Sequence, residues 1–519
     1  MNTSRTRTAI LNTTVSTLVY MIQLVMMMLV RVFFIRYLGK EYLGLTGVYT
    51  SLISMLSITD LGLDAVFLYL LYKPLANNQW SDVRSLLLAF RKIYRVVVSV
   101  VFIAGLVLLG LLPYILGKQA MELSGVYIIF MLYVLNTMLS YGNATNRSLI
   151  IANQRVYEVS LANMIMMVIV SLLQIIMLIN FRDPVIYMVI QVLGTAIFNF
   201  FISYRARRLY PEAYFLKKGH VKNSLSPEVK SDLLKNAVGG FSNRLGGVVV
   251  FGSDNILLSM FVGLSSVALY SNYTALTTAV TRIASQVSNS LVPSIGNLGV
   301  SEGNEKKQKV FFEITFVNHV FAGVVSLGFY SVANSFITLW VGRHYVLPSV
   351  TTLVIVLSLW FTLVRKPSIM FIDAFGLQWI QKWKPVVESV VNLLASLFLV
   401  LVLHLGLLGV LLGTIFSTVT TVLWYEPYVV IRNVFQVFNV RAFIMMNLKF
   451  AFIQSIALLF AKLIVDFLNF QPLLGMVTYP IMTEIFNFVL VGIMFWKSDV
   501  LENLLIRFNI LKRLKKEIK

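Results

Sequence analysis

Apolar runs long enough to cross a bilayer recur along this chain almost without a break. A membrane span needs about twenty mostly apolar residues. Fourteen runs meet that length, at 9–35, 43–72, 91–116, 121–142, 156–180, 183–204, 236–262, 267–297, 309–338, 348–375, 381–404, 406–432, 442–468 and 473–496. They are numbered spans 1 to 14. No water reaches the bilayer core, so every backbone polar group there must be paired within the protein, which leaves helices or a closed barrel. Barrel strands alternate apolar and polar residues, and these runs do not. The chain reads as an all-α polytopic membrane protein of about 14 transmembrane helices.

Charge agrees. Only 13% of the 519 residues are charged, against roughly 25% in soluble chains, too few to cover so much apolar surface. Cysteine is absent, which excludes disulfides, thiolate metal sites and cysteine nucleophiles. His220, His319, His344 and His404 are scattered without ligand spacing. No metal or other cofactor is expected. The net charge of +21 reads as basic flanks of membrane spans rather than a nucleic-acid surface. A short basic segment, Thr3 to Thr8, precedes span 1. The run behind it is of spanning length and has no small-residue cleavage site, so no removable signal is expected.

The basic residues also orient the chain. With the N-terminus in the cytoplasm, inside segments carry 31 Lys and Arg and outside loops five: Arg36, Lys40, Lys118, Arg182 and Arg343. Positive charge accumulates on the cytoplasmic side, so both termini are expected there.

The longest inside loop divides the spans six before and eight after. One fixed, ungapped offset places Asn12 on Asn236, Gly39 on Gly263, Leu45 on Leu269, Tyr49 on Tyr273 and Thr50 on Thr274. Identity over 12–54 is seven of 43, concentrated at the turn between spans 1 and 2. This predicts two pseudo-symmetric six-helix lobes plus a terminal helix pair. The expected division is an N-lobe at 1–204, an inter-lobe loop at 205–235, a C-lobe at 236–432, accessory spans 13 and 14 at 433–496 and a tail at 497–519. The tail gathers Leu501, Leu504, Leu505, Phe508 and Leu511 on one face and its lysines elsewhere. That pattern suits a basic amphipathic helix on the anionic inner leaflet.

No phosphate loop, catalytic triad or HExxH is present, so ATP hydrolysis within this chain is not expected. What remains is the polar and charged residues inside spans, each costly there and each a functional hypothesis. Span 1 carries Asn12, Ser16, Tyr20, Gln23 and Arg31, and span 2 carries Thr46, Thr50, Ser54, Ser57, Asp60 and Asp64. Span 7 carries Asn236, Asn243, Arg244 and Asp254, and span 8 carries Thr274, Thr278, Thr281, Arg282, Ser285 and Asn289. These stripes are expected to line a water-accessible cavity between the lobes; the plainer alternative is hydroxyl glue between helices. Asn12, Gln23, Thr50, Ser54, Asn243, Thr278 and Ser285 are the candidate lining residues. Arg282, Arg31 and Arg244 are the candidates for an anionic substrate, because a guanidinium binds phosphate oxygens in pairs. Asp60, Asp64, Asp254 and Glu388 suit either a coupling ion or counter-ions to the arginines. Lys462 and Asp466, four apart in span 13, suit a structural pair. Glu426 and Glu484 have no obvious partner. Arg365-Lys366-Pro367 interrupts span 10; Pro removes a backbone bond, so a kink is expected there, with a hinge or a headgroup site as its use.

Several short motifs share an order and spacing with a known family. They are RYLGKEYLGL at 36–45, DLGL at 60–63, LYKPLA at 71–76, IANQRVY at 151–157, SDNI at 253–256, LYSNY at 269–273 and AFGL at 374–377. Lys384-Pro385 with Glu388 and Asn392, then Gly413-Thr414 with Ser417, complete the series. Over about residues 10–430 the chain resembles the polysaccharide-repeat-unit flippases of the multidrug/oligosaccharidyl-lipid/polysaccharide (MOP) exporter superfamily, with lipid II flippases as distant kin. The resemblance implies alternating-access translocation of undecaprenyl-pyrophosphate-linked oligosaccharides for capsule, O-antigen or exopolysaccharide assembly. It also implies a cationic cavity, a late helix pair for the lipid tail, and a polysaccharide polymerase and glycosyltransferases as working partners. Arg31 and Arg282 fall in spans that resemble the arginine-bearing first and eighth helices of lipid II flippases. Span 2 departs from them, with Asp60 and Asp64 and no Arg. Two rivals remain: an ion-coupled drug or small-molecule exporter of the same superfamily, and a membrane glycosyltransferase or polymerase. The short outside loops count against the second.

Overall fold

The computed structural model describes residues 5–57, 63–215, 252–468, 470–498 and 500–502. Those residues are helical wherever they are regular, and no strand occurs among them. Ten helices are long and apolar enough to cross a membrane, or 11 if one bent pair is a single span. The chain is a multi-pass membrane protein. The count falls short of fourteen for three reasons. Spans 1 and 2 run together in the 52-residue helix Arg5–Leu56. Most of span 7 lies outside the described residues. Span 8, Leu264–Ser301, is long but rich in hydroxyls and amides. The tail beyond residue 502 also lies outside the described residues.

The chain forms two compact units, Met1–Ala268 and Leu269–Lys519. In the first, Arg5–Leu56 breaks at Gly39, whose φ of 87° is open to glycine and strained for other residues. Beyond the break Gly44 lies against the start of span 8. A Cβ there would sit 2.1 Å from the Leu264 carbonyl oxygen, so only glycine admits that approach. The Asn255 amide donates to the Ser51 hydroxyl at 2.9 Å.

Span 4 is broken into Val126–Gly142 and Ala144–Ala152, bent by 42°. No proline causes this. Asn143 takes the break, and its neighbours satisfy what the break frees. The Asn199 amide of span 6 donates to the Leu139 carbonyl at 2.7 Å, and Asn143 donates back to the Asn199 carbonyl at 3.1 Å.

In the second unit span 10 is interrupted in the corresponding place, between Ser349–Val364 and Lys366–Ala374. Here Pro367 lacks the N–H that Leu363 would receive. The Asn318 amide of span 9 donates to that carbonyl instead, at 2.9 Å. Spans 13 and 14, Val440–Leu468 and Pro472–Phe495, pack on span 9 through buried polar contacts. His319 meets Asn447 at 2.8 Å, Gln454 donates to Ser326 at 2.9 Å, and Ser331 meets Thr483 at 3.1 Å.

One backbone signature occurs twice along the chain. Positive φ recurs at Gly39 and Gly263, Gly117 and Gly342, Gln154 and Gly376, and Arg182 and His404. The two members of each pair are separated by nearly the same length of chain and mark equivalent helix ends.

Candidate functional site

The densest chemistry among the described residues lies in the second unit, where spans 10, 11 and 12 meet. Glu426 is fully buried. Arg365, at the break in span 10, grips it bidentately: Nε donates to Oε2 at 3.0 Å and Nη2 to Oε1 at 2.8 Å. Lys384, first residue of the helix Lys384–Leu401, donates to the same Oε1 at 2.5 Å. Glu388, one turn on, lies 3.8 Å from Arg365 Nη1. The helix of span 12 takes a π turn at Thr418–Val422, shortly before Glu426. Such a turn inserts a residue and re-aims the side chains beyond it, a device common at functional sites. Buried charges persist only when paired and hydrogen-bonded, and here two cations and two carboxylates meet that condition.

Lys366 stands next to this network. Its ammonium donates to the Ser285 hydroxyl of span 8 at 2.8 Å. Ser285 in turn donates to the Thr281 carbonyl at 2.8 Å. Arg282, three residues before Ser285, is exposed, and no acidic partner meets it among the described residues. Thr278 is exposed on the same helix.

In the first unit Arg31 is half-buried and has the Tyr187 phenol as an electrostatic neighbour. Thr50 is exposed and hydrogen-bonds back to the Thr46 carbonyl at 2.8 Å, while Gln23 and Ser54 are half-buried. Asn12 is engaged with backbone. Its amide donates to the Gln154 carbonyl at 2.9 Å and its oxygen accepts from the Tyr157 N–H at 3.0 Å. It therefore clamps span 1 to the turn between spans 4 and 5.

Asp64 is in an ion pair. Arg147 lies 3.1 Å from it and the Tyr94 hydroxyl donates to it. Glu388 also faces a base, Arg365. Asp254 is buried and partnered. Asp60, Arg244 and Asn243 lie outside the described residues.

Sequence reasoning missed several pairings. Arg147 reads as a loop residue, yet it lies in the second half of broken span 4. Glu426 reads as solitary, yet it holds two bases. Lys462 and Asp466 form no ion pair with each other. Arg91, on span 3, donates to Asn146 at 3.1 Å and lies over the Tyr214 ring. The Tyr214 hydroxyl donates to the same Asn146 oxygen at 2.8 Å, and Arg84 donates to the Tyr214 carbonyl. Tyr214 so fastens the start of the inter-lobe loop to span 3. Burial pushes its phenol up to about 12, so it stays a donor at neutral pH. All of these links join residues far apart in the chain, and no local pattern announces them.

Among the described residues no group of three His, Asp or Glu is placed to hold a metal.

A family model described as polysaccharide biosynthesis protein matches residues 10–298. Among solved structures, the lipid II flippase MurJ in its inward closed conformation aligns with a TM-score of 0.64 at 14% identity, over 94% of this chain and 99% of that one. The inward-facing conformation of a multidrug resistance MATE family transporter of the MOP superfamily aligns with a TM-score of 0.57 at 14% identity, over 81% and 98%. An outward-facing MATE structure gives 0.51 at 12%, over 81% and 95%. At such identities the likeness is one of fold. No curated protein matches the chain.

Proposed function

The chain belongs to the polysaccharide biosynthesis protein family, and from that premise we propose that it is a flippase for undecaprenyl-pyrophosphate-linked oligosaccharide. The match over residues 10–298 is the observation that carries this reading. The fold shared with MurJ supports it.

The physical task is to move a charged sugar diphosphate through a medium where each unshielded charge costs several kcal/mol. Hydroxyls and cations inside the spans replace the headgroup's water while the prenyl tail stays in lipid. Arg282 suits the anion, being exposed with no acidic partner among the described residues. Arg31 adds a second cation in the first unit, and Arg244 a third. Thr50, Ser54, Gln23, Thr278 and Ser285 supply polar lining. Alternating access of the two lobes carries the headgroup across. An inside-negative potential favours outward movement of an anion by about 2.3 kcal/mol per charge per 100 mV. The 31-to-5 sorting of basic residues supports both termini inside, and the flippase reading puts the chain in a bacterial cytoplasmic membrane. The lobes, loop and accessory pair take the bounds that hydropathy sets. A polymerase and glycosyltransferases are the expected working partners, and anionic inner-leaflet lipids the expected neighbours of the tail.

A cation-coupled drug exporter is the second reading. It calls for uncompensated acids in the membrane; Asp64, Glu388 and Glu426 face Arg147, Arg365 and Lys384, and Glu484 of span 14, which accepts from the Asn487 amide at 3.4 Å and forms no ion pair with a described base, is the acid left to that reading.

The test is translocation of a lipid-pyrophosphate-linked oligosaccharide in proteoliposomes. The wild type is expected to translocate it and Arg282→Ala to lose most of that activity. A wild type inert on this substrate that moves cationic drugs instead overturns the reading. Unchanged transport by Arg282→Ala removes that residue from the headgroup site.

A further inference from the structure

Lys366 is a half-buried intramembrane cation that forms no ion pair with a described carboxylate. Its two neighbours in the network, Arg365 and Lys384, are both consumed by Glu426, and Glu388 faces Arg365. Lys366 has the Arg365 guanidinium close by as a like charge, with Glu426 and Asp373 as its opposite electrostatic neighbours. Asp373 accepts from the Gln378 amide at 2.8 Å and makes no ion pair with Lys366. The single described hydrogen bond of the ammonium runs to a neutral hydroxyl, Ser285 Oγ.

That arrangement holds the ammonium without discharging it. Ser285 spends its own proton on the Thr281 carbonyl, so its lone pairs face Lys366 and fix the ammonium's position. An ammonium has three donors, and Ser285 uses one. Two donors and a full positive charge remain for an anion. Arg282 lies three residues before Ser285, and residues so spaced share a helix face. Three residues rise about 4.5 Å along a helix, so an ammonium seated on Ser285 and the Arg282 guanidinium offer two cations to one ligand with two linked phosphoryl groups.

We propose that Lys366, seated on Ser285, is a phosphate-binding residue, with Arg282 as its second cation and a lipid-borne pyrophosphate as the ligand. The Arg365–Glu426–Lys384 network is the rigid mount and does not itself touch the anion. This assignment rests on the flippase reading and names the residue that reading lacked.

The experiment measures binding of farnesyl pyrophosphate and of inorganic pyrophosphate to the full chain in phosphatidylcholine nanodiscs, by calorimetry. Lys366→Ala is expected to weaken both about tenfold, the loss of one charge-assisted contact. Lys366→Arg retains binding within about threefold because the charge remains. Ser285→Ala weakens it by about threefold, since it frees the ammonium but leaves its charge. Lys382→Ala, which removes a cation seated over the Trp379 ring, leaves binding unchanged. Melting temperature of each variant reports folding, and Lys366→Gln repeats the test if Lys366→Ala does not fold.

Wild-type binding that survives both Lys366→Ala and Lys366→Gln overturns this proposal and leaves the flippase reading standing. A wild type that binds neither pyrophosphate overturns both. Tighter binding of the farnesyl form assigns the site to a lipid headgroup; equal binding of the two overturns the lipid assignment in favour of a free anion.

Discussion

Tyr273 does in the second unit what Tyr49 does in the first. Both are fully buried, and they stand at equivalent positions of the repeat. The Tyr49 hydroxyl donates to the Val126 carbonyl at 2.8 Å, at the start of span 4. The Tyr273 hydroxyl accepts from the Leu347 N–H at 3.0 Å, at the start of span 10, and donates to Asn334 at 2.6 Å. The same helix end is fixed by the same phenol in each repeat. The bonds are not equal, however. Val126 retains a helical donor for its carbonyl, while the Leu347 amide has the phenol as its described partner. Tyr49→Phe is therefore expected to cost about 1 kcal/mol and Tyr273→Phe up to about 3 kcal/mol, the cost of an unpaired buried donor. Thermal unfolding in detergent orders the two, and a larger drop for Tyr49→Phe contradicts this reading.

Those tyrosines are visible in the sequence as an identity at a fixed offset. So is the pattern of spans, because hydropathy is a property of consecutive residues and needs no tertiary knowledge. The interruption of span 10 is legible for the same reason: Pro367 carries its own consequence. The break in span 4 is not, because Asn143 is an ordinary asparagine until Asn199 from span 6 takes the freed carbonyl. The repeat itself fades beyond the first two spans because the offset between equivalent helix ends drifts along the chain, which an ungapped comparison cannot track. Counter-ions are the least legible part. Asp64 and Arg147 are 83 residues apart, and Arg365 and Glu426 are 61 apart. Only folded helices bring such pairs together, so sequence alone leaves the acids between coupling and compensation.

Glu426 makes the sharpest of these pairings testable. Its carboxylate is the shared acceptor of Arg365 and Lys384. Glu426→Ala leaves two buried cations against each other, with Glu388 as the nearest compensation. Removing one member of a buried ion network typically costs about 3–5 kcal/mol, so this variant should express poorly or melt far below the wild type. Arg365→Lys should also lose stability, since an ammonium cannot reproduce the paired N–H bonds of the guanidinium. Arg365→Met with Glu426→Met should melt closer to the wild type than Glu426→Ala does. A double variant no better than the single one argues against a stabilising partnership.

Asp64 offers the opposite case. Its side chain is 32% exposed and that of Arg147 36%, so solvent screens the pair and its worth is about 1 kcal/mol or less. As a counter-ion, Asp64 tolerates exchange of partners. Asp64→Arg with Arg147→Asp should recover transport that Asp64→Arg alone loses. If Asp64 instead binds a coupling ion, the exchanged pair stays inactive while folding normally. Translocation in proteoliposomes, read beside melting temperature, separates the two outcomes.

Two glycines show how tightly the spans are mated, and they fail for different reasons. At Gly194 in span 6 an added Cβ would meet the Val170 Cγ2 methyl of span 5 at 2.2 Å, with the Val170 Cβ already 3.5 Å away. One methyl is the whole obstacle. Gly194→Ala should therefore destabilise by about 1–3 kcal/mol, as overpacked sites do, and Val170→Ala should restore most of the loss. At Gly413 in span 12 the Cβ would meet Ser396 of span 11 at its Oγ, 2.2 Å, but also at its backbone N and Cα, 2.7 and 2.8 Å. Trimming the side chain leaves the backbone in the way, so Ser396→Ala should not rescue Gly413→Ala. The two helices would have to separate, and with them Glu388 and Glu426, which sit on the same pair of spans. Gly413→Ala should consequently lower transport as well as melting temperature, while the rescued Gly194 double variant keeps both. Rescue of Gly413→Ala by Ser396→Ala in a melting assay would show that the spans yield at this contact.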